Sequence, residues 1–342
     1  MNIIILRKEI KKNEYRTPLI PSDCKKLINA GYSVIVESSD NRCFKDGEYY
    51  ENGCEIIDNI NRSDALIVGL KEFDYTNNKL FSLNHLYFSH CFKNQIGAEL
   101  ILKNFKKYGG TILDYEYMLD KNGKRLIAFG FWAGFAGMSL GLAQYLQKIN
   151  HLPDLNNLHP IFNYYEIIQN FKKINFNNIK IAIIGVNGRC GLGCRYLLDK
   201  LNINFTGYTK NDPKNNLEEF DIIINCIYLS HDFNGIFLNK ENLYKFKNLK
   251  VIVDVSCDIN AKNNPIKLDY NLTTFKEPIY KINDQIDIIC IDNLPSLLPK
   301  DSSIEFSNKL TQLLLKGGKI WSELLELFYE KIGSNAAENA LN

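Results

Sequence analysis

The chain has 342 residues, enough for two domains that each bury a core of their own. Its 41 basic and 39 acidic side chains nearly cancel and form no long block of one sign, which argues against nucleic acid or an anionic membrane as a partner. Nine scattered cysteines favour reduced thiols over a disulfide framework and indicate no zinc site. We therefore expect a cytoplasmic protein that holds no metal.

Strand-like and helix-like segments alternate through the first half of the chain. The run 2–9 is strand-like and lacks the pattern of a secretion signal. Ser22 is expected to cap a helix that Gly31 ends. The further predicted segments are strands at 32–37, 65–69 and 86–89, a helix at 95–107, and strands at 111–117 and 125–129 around a turn at 121–124.

The apolar segment 126–143 contains Gly130, Gly134, Gly137 and Gly141. Glycines at this spacing form one smooth helix face, against which another backbone can pack closely. The segment is also shorter than a usual membrane span of about 20 residues. We therefore expect a buried helix and no membrane partner.

A second α/β series follows a polar connection at 150–160 and a helical segment at 161–172. Its strands are continuous apolar runs, which is typical of parallel strands covered on both faces. They are expected at 180–186, 204–208, 221–226, 250–255 and 287–291, and the tail 302–332 is expected to form two helices.

A glycine cluster lies where the first strand of this series meets a helix. Gly185, Gly188 and Gly191 are separated by two residues each, and Arg189 begins the expected helix. Main-chain N–H groups of such a turn can approach a pyrophosphate, and the helix N-terminus favours its charge. The alternative is a tight turn that binds nothing, but the position of the cluster favours a dinucleotide site.

The choice between NAD and NADP depends on the end of the second strand of this series. An NAD site usually has Asp or Glu there, whereas this chain has Thr209 followed by Lys210. These two residues could meet a 2′-phosphate, which leaves NADP open. Asp212 could supply the missing carboxylate if the loop folds back.

Three charged residues of the first half suit chemistry on an amino acid. Arg16 could hold a substrate carboxylate in a bidentate contact, although a solvated surface arginine is the alternative. Lys71 and His90 each end a predicted strand, and neighbouring strands would bring them to one sheet edge for proton transfer at an amine or imine. The alternative interpretations are that the Lys71 side chain simply extends from the core into water and that His90 has only a structural role.

Ordered runs along nearly the whole chain resemble the lysine-forming saccharopine dehydrogenases, which are related to alanine dehydrogenase and transhydrogenase. The matching runs are Leu6-Arg7, Glu14-Tyr-Arg16 with Pro21, Gly69-Leu-Lys-Glu72, 89–95, 128–137, Gly188-Arg-Cys-Gly191, 224–229, 253–256 and 292–299.

The resemblance implies oxidation of saccharopine to lysine and 2-oxoglutarate with NAD, by a monomeric enzyme. It implies that Lys71 is the base, that His90 is the acid-base group of imine hydration and collapse, and that Arg16 holds a carboxylate. The resemblance further implies substrate contacts or charges around the base at Lys11, Gln95, Glu72 and Glu116. Beside the glycine turn and Thr209, it implies cofactor contacts at Lys124, Phe129, Tyr228, Val255, Asp292 and Leu294.

The expected fold class is therefore α/β, with two Rossmann-like domains, parallel sheets flanked by helices and an active site in the interdomain cleft. Residues 1–135 with 300–342 would form the substrate domain, and 136–299 the dinucleotide-binding domain. Two other functions stay open: an opine dehydrogenase that joins another keto acid, such as pyruvate, to lysine or ornithine, and a catalytically silent dinucleotide-binding regulator. Whether Cys190 and Cys226 are bridged also stays open.

Overall fold

Two six-stranded sheets organise the chain, each at the centre of its own unit. The computed structural model describes residues 2–93, 95–176, 178–209, 212, 216–227 and 235–333. The first unit contains residues 1–128 and 299–342, and the second contains residues 129–298. The sequence placed these boundaries at 135 and 299.

The first unit begins with alternating strands and helices. Their bounds are β1 (Ile3–Leu6), α1 (Pro21–Asn29), β2 (Ser33–Glu37), α2 (Asp46–Glu51), β3 (Glu55–Ile57), β4 (Leu66–Val68), β5 (Asn84–Tyr87), α3 (Ala98–Tyr108) and β6 (Thr111–Asp114). The sheet is parallel throughout, in the order β3-β2-β1-β4-β5-β6. The chain therefore reverses its direction of travel across the sheet between β1 and β4, and ligands of such sheets bind at the carboxyl ends of the strands at this point.

Two local expectations in this unit are wrong. Ser22 lies inside α1 rather than at its cap, because Pro21, whose fixed φ suits the first helical position, begins the helix one residue earlier. The expected strand 111–117 ends at Asp114, where a 3₁₀ turn at Tyr115–Tyr117 begins. The carboxylate of Asp114 accepts the N–H of Glu116 and so stabilises that turn in place of a longer strand.

The expected strand at 125–129 is also absent from this described segment. Arg125 forms only an isolated antiparallel bridge with Leu119, and Phe129 already precedes a helix. The turn between the two bridged residues is present: the N–H of Asp120 donates to the carbonyl of Lys124 over 2.8 Å.

The second unit opens with a long helix and continues as a second parallel series. Its bounds are α4 (Gly130–Ile149), α5 (Tyr164–Phe171), β7 (Ile181–Ile184), α6 (Arg189–Leu201), β8 (Thr206–Tyr208), β9 (Ile222–Asn225), β10 (Leu238–Asn239), β11 (Val251–Asp254), β12 (Ile266–Lys267), β13 (Tyr280–Lys281) and β14 (Asp287–Ile289). The main sheet has the order β13-β14-β11-β9-β7-β8, in which only β13 runs antiparallel among these strands, and β10 pairs with β12. The α/β fold class with parallel sheets flanked by helices is confirmed.

Glycines let α4 cross α6 at backbone contact, as their spacing predicts. A Cβ on Gly134 would lie 1.8 Å from the carbonyl oxygen of Cys190, and one on Gly193 would lie 1.9 Å from that of Phe131. Side chains at these positions are therefore excluded. Among the helices that the structure describes, none has the length and apolar character that a bilayer crossing requires.

The chain then returns to the first unit with α7 (Pro299–Lys316) and α8 (Lys319–Lys331), the two helices expected for the tail. Serine hydroxyls of α7 accept hydrogen bonds from main-chain groups just before α1. The N–H of Thr17 donates to Ser303 and that of Ile20 donates to Ser307, both over 2.9 Å. Ser307 in turn donates to the carboxylate of Asp23.

Candidate functional site

Lys71 and His90 follow adjacent parallel strands at the carboxyl edge of the first sheet. Leu66 of β4 pairs with Asn84 of β5, so the two strands are neighbours, as the sequence hypothesis required. Both residues are partly exposed. Because Lys71 follows the strand at which the chain order reverses, it lies where a ligand of this sheet is expected.

Side chains from the end of β1 hold the main chain of Lys71. The carboxylate of Glu9 accepts the N–H of Leu70 over 2.7 Å and that of Lys71 over 2.9 Å. Nη2 of Arg7 donates to the carbonyl oxygen of Lys71. Both side chains are buried, and burial raises the pKa of Glu9, partly offset by the charge of Arg7 and by the two N–H donors.

Arg16 forms a buried bidentate ion pair with Glu14. Its Nε and Nη2 lie 2.7 and 2.6 Å from the two carboxylate oxygens of Glu14. Burial acts to raise the pKa of Glu14, but the charge and hydrogen bonds of Arg16 and the charge of Lys71 outweigh it, so the pKa lies below its usual value. The expected carboxylate-binding arginine thus has a carboxylate of this chain as a partner.

Glu116 joins the cations around His90. Its carboxylate lies 2.5 Å from Nη2 of Arg125, 3.1 Å from Nζ of Lys93 and 4.0 Å from Nδ1 of His90. Burial acts to raise the pKa of Glu116, but these three positive or protonatable groups lower it below its usual value. Glu116 therefore places a carboxylate next to His90.

Asp114 fixes the backbone at Ser89, next to His90, and at Glu116. It accepts hydrogen bonds from the N–H and the hydroxyl of Ser89, at 3.2 and 2.6 Å, and from the N–H of Glu116. His90 itself has φ +51°, in the left-handed region that a side chain rarely adopts. Strained residues of this kind concentrate at functional sites, where the surrounding contacts maintain them.

The remaining predicted substrate contacts belong to the same unit. Glu72 is half-buried directly after Lys71, and Lys11 is half-buried three residues before Glu14. Gln95 accepts the N–H of Lys93 through its side-chain oxygen over 2.8 Å. These residues thus lie in the connections at the carboxyl ends of β1, β4 and β5.

In the second unit the glycine turn follows β7 as predicted. Gly185 has φ +88°, and a Cβ on Gly191 would lie 2.4 Å from the carbonyl oxygen of Gly185. Gly188 precedes α6, and Arg189 is its first residue. The first N–H groups of a helix have no acceptor within it, and the first turn of α6 contains no acidic residue. The turn therefore suits the pyrophosphate of a dinucleotide.

Asp212 lies beside Thr209, at the end of β8. The N–H of Thr209 donates to a carboxylate oxygen of Asp212 over 2.6 Å. A carboxylate thus lies at the end of the second strand of the unit, although the residue at the usual position is Thr209. Lys210 and Tyr228 lie outside the described residues.

The other predicted cofactor residues are distributed over both units. Val255 follows β11, and Asp292 and Leu294 follow β14; Asp292 is exposed, whereas Leu294 is only 1% exposed and belongs to the core. Phe129 precedes α4. Lys124 lies in the first unit, in the exposed turn after Asp120.

The thiol beside Cys226 is that of Cys194. Their Sγ atoms are 3.6 Å apart, and all nine cysteines are free thiols. Burial and the neighbouring Cys226 raise the pKa of Cys190. The two cysteines singled out in the sequence are therefore not bridged in this structure.

Sequence reasoning missed Arg7, Glu9 and Asp114 as site residues. Each is a charged residue at or just after the end of an apolar strand, and this pattern was the available signal. Each of them contacts at least one main-chain group, and no residue pattern identifies such a partner.

The chain was compared with known families and proteins. The model for the alanine dehydrogenase/PNT N-terminal domain matches residues 5–136, and that for the C-terminal domain matches residues 179–324. The chain is 34% identical to "Saccharopine dehydrogenase [NAD(+), L-lysine-forming]" of Neurospora crassa, over 97% of each chain. The protein of the same name from Emericella nidulans is 36% identical, over 97% of this chain and 98% of its own. That from Candida glabrata is 37% identical, over 89% of each chain.

Solved structures agree in fold. An L-alanine dehydrogenase has a TM-score of 0.70 at 16% identity, covering 97% of this chain and 94% of that one. A transhydrogenase from Sinorhizobium meliloti has a TM-score of 0.66 at 15% identity, covering 95% and 97%. The chain belongs to the lysine-forming saccharopine dehydrogenases, within the alanine dehydrogenase/PNT family.

Proposed function

We propose that this protein interconverts saccharopine and water with lysine and 2-oxoglutarate, using a nicotinamide dinucleotide. The observation that carries the proposal is the pairing of β4 with β5, which brings Lys71 and His90 to one edge of the sheet in a chain that is 34–37% identical to enzymes named for this reaction. A bound dinucleotide supplies the hydride acceptor for the carbon beside the secondary amine. Proton transfer and substrate orientation fall to the chain.

Lys71 accepts the proton of the secondary amine in this proposal. The charge of Lys71 is one of the causes that lower the pKa of Glu14, and Glu72 follows Lys71 in the chain. His90 then delivers and removes protons as water adds to the imine and the C–N bond breaks. The carboxylate of Glu116 lies 4.0 Å from Nδ1 of His90, beside the group that exchanges these protons. Arg16, Lys11 and Gln95 would orient the carboxylates of the substrate.

We propose that Gly185, Gly188, Arg189 and Gly191 hold the pyrophosphate, with Phe129, Tyr228, Val255, Asp292, Leu294 and Lys124 as further cofactor contacts. The glycine turn and the N-terminus of α6 carry the first part of this assignment. The second part rests on the resemblance of the surrounding residues to the family.

NAD, rather than NADP, is the proposed cofactor, because Asp212 places a carboxylate beside Thr209. A carboxylate there accepts hydrogen bonds from the ribose hydroxyls and repels a 2′-phosphate. Asp212→Asn should lower the ratio of kcat/KM for NAD to that for NADP by about tenfold. The exposed Asp199→Asn on α6 is the control. A wild-type preference for NADP, or an unchanged ratio in Asp212→Asn, would contradict this choice.

The activity is tested by mixing the purified protein with reduced dinucleotide, lysine and either 2-oxoglutarate or pyruvate, and following the loss of nicotinamide absorbance. We expect turnover with 2-oxoglutarate. Turnover with pyruvate alone would indicate an opine dehydrogenase, and no turnover with either acid would indicate a regulator; the names of the relatives favour neither alternative.

The roles of Lys71 and His90 are tested by Lys71→Met and His90→Gln. Loss of a positioned acid or base should lower kcat by about 10²–10⁴-fold while dinucleotide binding persists. Lys107→Met, at an exposed lysine on α3, is the control. If either variant keeps its turnover, that residue has no part in proton transfer.

We also propose that the protein acts as a monomer in the cytoplasm on these small molecules. Light scattering during gel filtration should give the mass of one chain, 39.4 kDa. A mass of two chains would contradict the monomer.

A further inference from the structure

Side chains just after the end of β1 contact the main chain of the segment that follows β4. Strand β4 ends at Val68, so Lys71 lies three residues beyond it. The N–H of Gly69 still donates to Leu86 and that of Phe88 donates to Leu70. Beyond these contacts, the main-chain N–H and C=O of Lys71 meet the side chains of Glu9 and Arg7.

Those side chains hold both the N–H and the C=O of Lys71. One carboxylate oxygen of Glu9 accepts the N–H of Leu70, and the other accepts that of Lys71. Arg7 donates to the carbonyl of Lys71 and lies 3.5 Å from Glu9. Arg7 is 3% exposed and Glu9 is 9% exposed, so water competes little for these hydrogen bonds.

Gly69 leaves the space that Arg7 needs. A Cβ on Gly69 would lie 2.2–2.5 Å from the guanidinium atoms of Arg7. The guanidinium therefore passes directly over the main chain of residue 69 to reach Lys71. The lack of a side chain at Gly69 thus permits the contact between Arg7 and Lys71.

We propose that Arg7 and Glu9 are positioning residues for Lys71: together they fix the backbone from which the proposed base extends. This inference rests on the proposed function for its catalytic consequence. A displacement of about 1 Å at a reacting group can lower a rate by about a hundredfold. Glu9 and Arg7 act through Lys71 and not on the substrate, so replacing either side chain should lower turnover only while Lys71 is present.

The test is a double-mutant cycle of Glu9→Gln with Lys71→Met. Glutamine keeps the size of the side chain, but its amide offers one acceptor oxygen where two N–H donors need acceptors. Glu9→Gln alone should lower kcat by about tenfold to a hundredfold and leave the KM for the dinucleotide within about twofold. In the Lys71→Met background it should change kcat by less than about twofold, because the base that it positions is gone. Equal losses in both backgrounds would overturn the proposal.

Amide hydrogen exchange gives a readout that does not need activity. In Glu9→Gln the peptide covering residues 69–73 should exchange faster, whereas the peptide covering 251–254 should not change. Glu55→Gln, at an exposed carboxylate of β3, is the matched control and should leave both peptides as in the wild type. Unchanged exchange at 69–73 would overturn the inference even if the wild-type protein proved inactive with lysine and 2-oxoglutarate, which would be a failure of the proposed function alone.

Arg7→Lys is a second variant in case Glu9→Gln does not fold. It keeps the positive charge beside Glu9, but a single ammonium replaces the planar guanidinium that reaches Lys71. The same faster exchange at 69–73 and the same dependence on Lys71 are expected. Wild-type exchange and turnover in this variant would remove Arg7 from the proposal.

Discussion

Asp114 connects the ends of β5 and β6 through hydrogen bonds to Ser89 and to the N–H of Glu116. Asp114→Asn keeps the shape of the side chain but replaces one acceptor oxygen by an NH₂ group, which cannot accept from Ser89 or Glu116. We therefore expect a lower kcat, by about tenfold, as His90 moves relative to the substrate. Steady-state kinetics with dinucleotide binding as the reference measures this effect. Asp58→Asn, at an exposed carboxylate after β3, is the control, and wild-type kcat in Asp114→Asn would show that Asp114 has no such role.

His85 predicts a pH dependence of stability. Its ring stacks on Phe73, Nε2 lies 2.8 Å from the carbonyl of Leu80, and burial, assisted by the charge of Arg7, lowers its pKa from 6.5 to about 3. Below pH 6.5 the unfolded chain therefore binds a proton that the folded chain does not, and stability falls as the pH decreases towards 3. The expected slope is about 1.4 kcal/mol per pH unit.

His85→Phe should remove this slope, since phenylalanine retains the stacking surface and does not titrate. Denaturant unfolding measured at several acidic pH values checks the prediction. His159→Gln, at an exposed histidine, should keep the wild-type slope. An equal slope in wild type and His85→Phe would mean that other groups cause the acid sensitivity.

At the scale of elements, the crossing of α4 with α6 depends on two glycines. A Cβ at Gly134 would overlap the carbonyl of Cys190, and α6 cannot move away without disturbing β7 and the glycine turn. Gly134→Ala should therefore lower the free energy of unfolding by about 1–3 kcal/mol. Thermal unfolding measures the change. Gly47→Ala in α2, where a Cβ would meet no atom within 4 Å, should be neutral or slightly stabilising; similar losses in both would contradict the close crossing.

The same elements show how far the sequence determines the fold and the site. Apolar runs predict the central strands of both sheets, and in the second series they are continuous because these strands are buried on both faces. Lys71 and His90 were expected at one edge only if their strands are neighbours, and the pairing of β4 with β5 meets that condition. The short edge strand β3 and the polar helix α2 carry no such run and were missed. The roles of Glu9 and Asp114 depend on contacts with main-chain atoms of distant segments, and such contacts leave no mark in the local pattern.

At the scale of the whole molecule, each unit has a separate core. Phe306 of α7 is fully buried in the first unit, and Phe135 of α4 is fully buried in the second. Replacing either by alanine should cost about 3–5 kcal/mol. Phe306→Ala should speed hydrogen exchange mainly in residues 1–128, and Phe135→Ala mainly in residues 129–298. Equal acceleration of both units by either variant would show that they unfold as one.

The return of α7 to the first unit has a consequence for folding during synthesis on the ribosome. Thr17 and its partner Ser303 are 286 residues apart, so the hydrogen bond between them can form only after Ser303 has left the ribosome. All of the second unit emerges in between. The first unit therefore completes its fold only after all of the second unit has been synthesised, and a nascent chain that stalls after residue 298 would lack α7 and its hydrogen bonds with Thr17 and Ile20.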